Sequence, residues 1–207
     1  LSYLVLGLTS DYQFCGEQKS LDAAKKLADY LIGQIAGDQA KPVGEGDLSP
    51  IMGTTGLDEA MLGLAEQSGE IRYRDFVVGP RALGQWRMPI TVGRWGTIDG
   101  HAYAYMCKCL EQVRLYPYVQ DPALWQQTQG VFDFLFNRDG LIVTGTCGDH
   151  ECWHDTQSGA TNLGETCATA YLIRLCGDVI RATGDPLFGD LMERAIYNGL
   201  FAAQSPD

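Results

Sequence analysis

The chain has 207 residues, 45% of them hydrophobic and 20% charged, a balance that suits an ordinary globular domain with a sizeable core. Its formal net charge of −11, from 15 basic and 26 acidic residues, should repel nucleic acid and anionic membrane, so neither is expected as a partner. No apolar run approaches the length of a membrane span, and the opening LSYLVLGL lacks the basic leader and small-residue cleavage site of a signal peptide.

Helical spacing dominates from there on. The start is itself an apolar helical pattern with no cap before it. Residues 20–35 place Leu21, Ala24, Leu27, Ala28, Leu31 and Ile35 on one face, with Ser20 as the expected cap. Further helices are predicted over 57–67, 101–116 and 122–136, the last with Pro122 in its first turn. A stripe of Ala168, Leu172, Leu175 and Val179 predicts another helix, and 186–204 a final one opened by a proline. Only LIVTG at 141–145 reads as a strand.

A repeat underlies these elements. Helix, acidic turn and helix recur, with turn segments 15–24, 68–76, 120–128 and 183–191. Aligning Glu17, Glu70, Asp121 and Asp185 gives separations of 53, 51 and 64. Repeating helical hairpins bury a face against their neighbours. Long irregular segments at 36–56 and 84–100 fit functional loops at the mouth of a ring better than a uniform solenoid. The expected fold is therefore all-α, a partial (α/α) toroid with one short strand, formed by 1–207 as a piece of a single larger domain. An exposed ring edge would favour self-association.

Chemistry-bearing side chains concentrate between Gly145 and Ala168. This stretch holds Cys147, Cys152 and Cys167, His150 and His154, and Asp149, Glu151, Asp155 and Glu165, broken up by glycines. The seven cysteines are an odd number, so they cannot all pair internally. Cys15, Cys107, Cys109 and Cys176 read as buried thiols, and reduced thiols predict a cytosolic compartment.

Four segments carry a family likeness: GHAYAYM (100–106), LIVTGTCGDHE (141–151), GETCATA (164–170) and GDLMERAIYNGLFAAQSPD (189–207). In order and spacing they resemble glycoside hydrolase family 127, the β-L-arabinofuranosidase group. The resemblance implies an (α/α)6-barrel catalytic domain that cleaves terminal furanosides with retention and uses a cysteine-bound zinc. Glu165 and Cys167 match two zinc ligands, Glu151 the general acid/base, and His101 a substrate-contacting histidine. Two departures stand out. The family's paired cysteines lie well beyond its Asn-Gly helix, past the end of this sequence, and Leu57 follows Gly56 where a second substrate histidine is expected. As it stands, the chain is expected to lack turnover.

Read from the residues alone, several of these positions keep two meanings. Glu165 and Cys167 are two apart, so they point the same way only if a helix begins at about Cys167; otherwise Asn162 caps the helix and Glu165 closes a capping box. Cys147, His150, Cys152 and His154 could form a local zinc site or be ordinary loop polars. Glu151, next to Cys152 and Trp153, suits a general acid if an indole dries its pocket, or is a solvated loop glutamate. Asp155 is the lesser candidate for a partner carboxylate, which would allow hydrolysis without metal. His101 starts a helix, where it contacts substrate or is simply structural. Trp86, Trp95 and Trp153 stack on a sugar or fill the core, and Arg81, Arg87 and Arg94 hold an acidic sugar or solvate their loop. The resemblance favours a carbohydrate substrate contacted by His101, and the residues themselves add Trp153 and Asp155 as expected substrate-binding positions. The alternative is a helical-repeat carbohydrate-binding or scaffold module without catalysis.

Overall fold

The computed structural model of the chain describes residues 1–36, 54–158 and 164–204, which form two compact units, Leu1–Trp86 and Arg87–Asp207. The first unit contains α1 (Ser2–Cys15), α2 (Gln18–Ala36), α3 (Leu57–Ser68) and α4 (Arg72–Val78), then a 3-10 turn at Leu83–Gln85. In the second, α5 (Ala102–Val119) is followed by a 3-10 turn at Pro122–Trp125 that runs into α6 (Gln126–Asn137). There α7 (Thr166–Thr183) leads to α8 (Pro186–Ala195) and a π-helical turn at Ile196–Leu200. The all-α expectation holds.

The acidic turns of the repeat all fall between paired helices, and their geometry explains the pattern. Each helix before such a turn ends on a left-handed residue: Gly16 (φ 72°), Gly69 (φ 72°), Gln120 (φ 55°) and Gly184 (φ 73°). The residue that follows is Glu17, Glu70, Asp121 or Asp185. Asp121 accepts from the Ala123 amide at 2.9 Å and Asp185 from the Leu187 amide at 3.0 Å, so each caps the next helix, with proline behind it. Glycine reaches the left-handed region without a Cβ penalty; Gln120 does not. Gln120→Gly is therefore expected to stabilise the chain by about 1 kcal/mol, read as a higher urea midpoint at unchanged slope.

Packing follows the predicted stripes. In the first unit Leu21, Ala24 and Ala28 of α2 are buried, as are Val5 of α1 and Leu57, Ala60, Met61 and Leu64 of α3. In the second unit α5 is buried on nearly all sides, which marks it as that unit's central helix. Its buried charges are paired, Lys108 Nζ to Glu111 Oε2 at 2.7 Å.

Several local expectations fail for identifiable reasons. Residues 141–145 do not form a strand. The Ile142 amide turns back to the Thr146 carbonyl at 2.9 Å, with Gly145 left-handed at φ 86°, so the segment pairs with itself rather than with a neighbour. Only isolated bridges, His101 with Cys152 and Asp149 with Cys152, occur among the described residues. Ser20 lies inside α2 and donates to Asp11 instead of capping. The supposed turn at 68–76 contains the start of α4, since Gly69 and Glu70 suffice to reverse the chain. The last helix stops at Ala195. Among the four thiols read as buried, Cys107, Cys109 and Cys176 are buried and Cys15 is exposed at the end of α1. Part of the 36–56 segment and Asn162 lie outside the described residues.

Candidate functional site

Three segments of the second unit are stitched together by backbone hydrogen bonds: 91–102, 145–154 and the start of α7. The Ala102 amide donates to the Glu151 carbonyl and the Trp153 amide to the Gly100 carbonyl, both at 2.9 Å. Gly93 donates to the Trp153 carbonyl and Gly164 to the Gly148 carbonyl, again at 2.9 Å. Gly100 is required by closeness: a Cβ there would lie 1.7 Å from the Arg94 carbonyl oxygen. The chemistry-bearing residues thus sit on irregular backbone whose position is fixed by main-chain pairing.

Glu151 stands at the tip of a tight turn. Asp149 and Cys152 exchange both backbone hydrogen bonds at 2.9 Å, and between them His150 (φ 47°) and Glu151 (φ 69°) both have positive φ. That φ pattern is the type I′ turn, which ordinarily selects Asn and Gly. A histidine and a glutamate held there store strain, which is commonest at sites of function. The Glu151 side chain is 48% exposed, and its Oε2 accepts the Trp95 indole N–H at 3.0 Å. The indole it meets is therefore Trp95 and not its chain neighbour Trp153.

His101 is the N-cap of α5 and is 2% exposed. Its Nε2 lies 3.6 Å from Glu151 Oε2, and its ring meets Tyr103 edge-on at 4.5 Å. Burial pushes its pKa down, against the upward pull of the Glu151 and Glu165 carboxylates, so the ring is neutral at pH 7. Its Nδ1 is buried without a hydrogen-bond partner among the described residues.

Helix α7 begins at Thr166, with Glu165 as an extended N-cap residue (φ −54°, ψ 131°). This removes the capping-box alternative, because Glu165 sits at the cap and not three residues into the helix. It also satisfies the condition for Glu165 and Cys167 to point the same way: Cys167 Sγ donates to Glu165 Oε1 at 2.6 Å. Although Cys167 keeps an exposed side, desolvation and the Glu165 carboxylate push its thiol up to about 11. Glu165 Oε2 is buried with no hydrogen-bond partner among the described residues. It lies 3.4 Å from where a Cβ on left-handed Gly148 would stand, so the 145–148 loop covers it closely. A carboxylate in contact with a thiol fits half of a zinc ligand set. Among the described residues no group of three or more His, Cys, Asp and Glu side chains is arranged to hold a metal.

The remaining candidates are placed elsewhere. Trp153 is 1% exposed, with edge contacts to Tyr105 at 5.7 Å and Phe134 at 5.5 Å, so it is a core residue. Asp155 is exposed. The local cluster disperses: Cys147 is buried, where desolvation pushes its thiol up, while exposed His150 turns to Asp149 at 2.6 Å and His154 Nδ1 binds the Thr156 carbonyl at 3.0 Å. The arginines are engaged internally, Arg81 with buried Asp58 at 2.8 and 3.1 Å, Arg94 with Asp99 at 2.9 Å, and Arg87 with Gln126 at 3.2 Å. An acidic sugar would have to displace those partners. Trp86 is half-buried.

An open concavity on the same unit is lined by Asp190, Glu193, Arg194, Tyr197 and Asn198, and none of the candidates above borders it. The π-helical turn beneath it packs tightly on the loop before Glu151. A Cβ on Gly199 would lie 2.2 Å from Thr146 Cγ2. The part of the site that sequence reasoning missed is the Trp95 bond to Glu151, which joins residues 56 apart.

A family model described as Beta-L-arabinofuranosidase, GH127 catalytic domain, matches residues 1–207. Among solved structures, the chain is similar to a GH127 beta-arabinofuranosidase with a TM-score of 0.78 at 19% identity, covering 99% of this chain and 33% of that one. It is similar to a glycoside hydrolase with a TM-score of 0.73 at 18% identity, covering 99% and 37%. A GH127 beta-L-arabinofuranosidase from Geobacillus stearothermophilus T6 gives 0.75 at 19%, covering 99% and 36%. At these identities the likeness shows the fold, and the chain spans about a third of the length of the structures it matches. No curated protein sequence matches it.

Proposed function

We propose, since this chain belongs to the GH127 β-L-arabinofuranosidase catalytic-domain family, that it supplies the acid/base residue and part of a zinc site to a retaining glycosidase acting on terminal β-L-arabinofuranosides. Glu151 in its acid form protonates the leaving glycosidic oxygen, then as carboxylate takes a proton from the incoming water. Its half-exposed carboxyl on a turn tip can reach a substrate without losing its backbone anchor. Neutral His101 offers a nitrogen to a sugar hydroxyl and adds no formal charge beside the acid. Glu165 and Cys167 contribute one oxygen and one sulfur to the metal. Zinc, when bound, supplies positive charge that keeps thiol ligands deprotonated and nucleophilic.

One juxtaposition carries this reading: buried His101 lies 3.6 Å from Glu151, and the Gly164 amide beside Glu165 binds the Gly148 carbonyl of the loop that carries Glu151 at 2.9 Å. The two motif segments therefore face one another although the chain separates them. The test combines metal content with turnover. The reading expects zinc to co-purify with the protein and to be lost at least about tenfold more readily to a chelator in Cys167→Ala. It further expects hydrolysis of an aryl β-L-arabinofuranoside by the full-length protein. Turnover that survives complete zinc removal and needs Asp155 would replace it with a metal-free pair of carboxylates. Sugar binding without turnover in the full-length protein would leave a binding module.

A further inference from the structure

We propose that Trp95 is a positioning residue for Glu151: its indole N–H holds Oε2 of the carboxyl and thereby turns Oε1 toward the substrate. This rests on the reading of Glu151 as the acid/base. A glutamate on a solvent-facing turn would otherwise sample several rotamers, and ordering it costs free energy that catalysis must recover. Trp95 Nε1 donates to Oε2 at 3.0 Å, and His101 Nε2 lies 3.6 Å from the same oxygen. Both neighbours therefore gather on one oxygen and leave Oε1 for the reacting proton. An indole N–H is a donor only and neutral, so it fixes geometry without competing for the proton that the acid must deliver.

The segment that carries Trp95 is built to hold still although the ring itself is 65% exposed. Arg94 pairs with Asp99 at 2.9 Å, and the Thr91 amide donates to the Asp99 carbonyl at 3.0 Å. Two left-handed glycines, Gly93 (φ 66°) and Gly96 (φ 92°), bracket the tryptophan and give its short loop the sharp bends it needs. The Gly93 amide then binds the Trp153 carbonyl, two residues from Glu151. An exposed tryptophan with no such duty would need none of this anchoring.

The test uses Trp95→Phe, which keeps an aromatic ring and deletes the donor, beside Glu151→Ala. On this chain, the indole 15N–1H resonance of Trp95 is expected to shift in Glu151→Ala while those of Trp86, Trp125 and Trp153 stay; an unmoved Trp95 resonance overturns the proposal. In the full-length protein, kcat/KM is compared on aryl furanosides with good and poor leaving groups. Help from an acid matters only when the leaving group is poor, so Trp95→Phe is expected to lose about tenfold or more on the poor one and little on the activated one. Equal loss on both would mean a structural role and overturns the positioning role. Should Glu151→Ala show the leaving-group dependence and Trp95→Phe none, the acid survives and the positioning role fails. Should Glu151→Ala show no dependence, the acid reading itself falls and takes the proposal with it.

Discussion

Trp153→Ala is expected to cost about 3–5 kcal/mol of folding stability. The side chain is 1% exposed and meets Tyr105 and Phe134 edge-on. Removing it deletes a large apolar area and leaves a cavity that the surrounding helices can only partly close. The main-chain bonds of residue 153 to Gly100 and Gly93 also hold the loop that carries Glu151, so the damage should extend to the site. Urea unfolding of the purified chain checks this directly, and Trp153→Phe should recover a good part of the loss. The opposite pattern, an unchanged midpoint with weakened carbohydrate binding, would return Trp153 to the role of a sugar platform.

Glu151→Gln is expected to lower turnover of an aryl arabinofuranoside by about 10²–10⁴-fold in the full-length protein and to leave its unfolding midpoint nearly unchanged. Glutamine keeps the shape and still accepts the Trp95 N–H, but has no proton to give to the leaving oxygen. With the side chain 48% exposed, little packing is at stake. Glu151→Gly separates backbone strain from side-chain chemistry. At φ 69° glycine should relieve strain, so this variant is expected to gain about 1 kcal/mol of stability while losing activity. Full activity in Glu151→Gln would remove Glu151 from the chemistry, and destabilisation in Glu151→Gly would mean that the side chain, and not the strained backbone, matters to the fold.

The helices were legible because their signals are local. Apolar spacing and the pairing of a left-handed residue with an acidic cap act within a few residues, and Gly16-Glu17, Gly69-Glu70 and Gly184-Asp185 can be read directly from the chain. The 141–145 segment was not legible as a turn, because its β-branched run looks the same whether or not a partner strand lies beside it. Glu165 was ambiguous for a related reason: N-cap and third helical position differ only by where the helix starts, and Asn162 offered a competing start. Trp153 and Trp95 illustrate the general limit. Both follow glycine-rich or polar stretches, yet one is sealed in the core and the other reaches Glu151 from 56 residues away.

By itself the sequence determined the helical class, the hairpin repeat, the family, and a short roll of residues able to carry acid/base and metal chemistry. Each of these depends on side-chain type and on spacing along one stretch of chain. Tertiary structure decided which of those residues meet: His101 against Glu151, Glu165 against Cys167, and the Trp95 indole on the catalytic candidate rather than Trp153. The contact of Glu165 with Cys167 depends on where α7 starts, whereas the contacts of Glu151 with His101 and Trp95 are made by backbone pairing between distant loops. No period or motif within either loop encodes its partner.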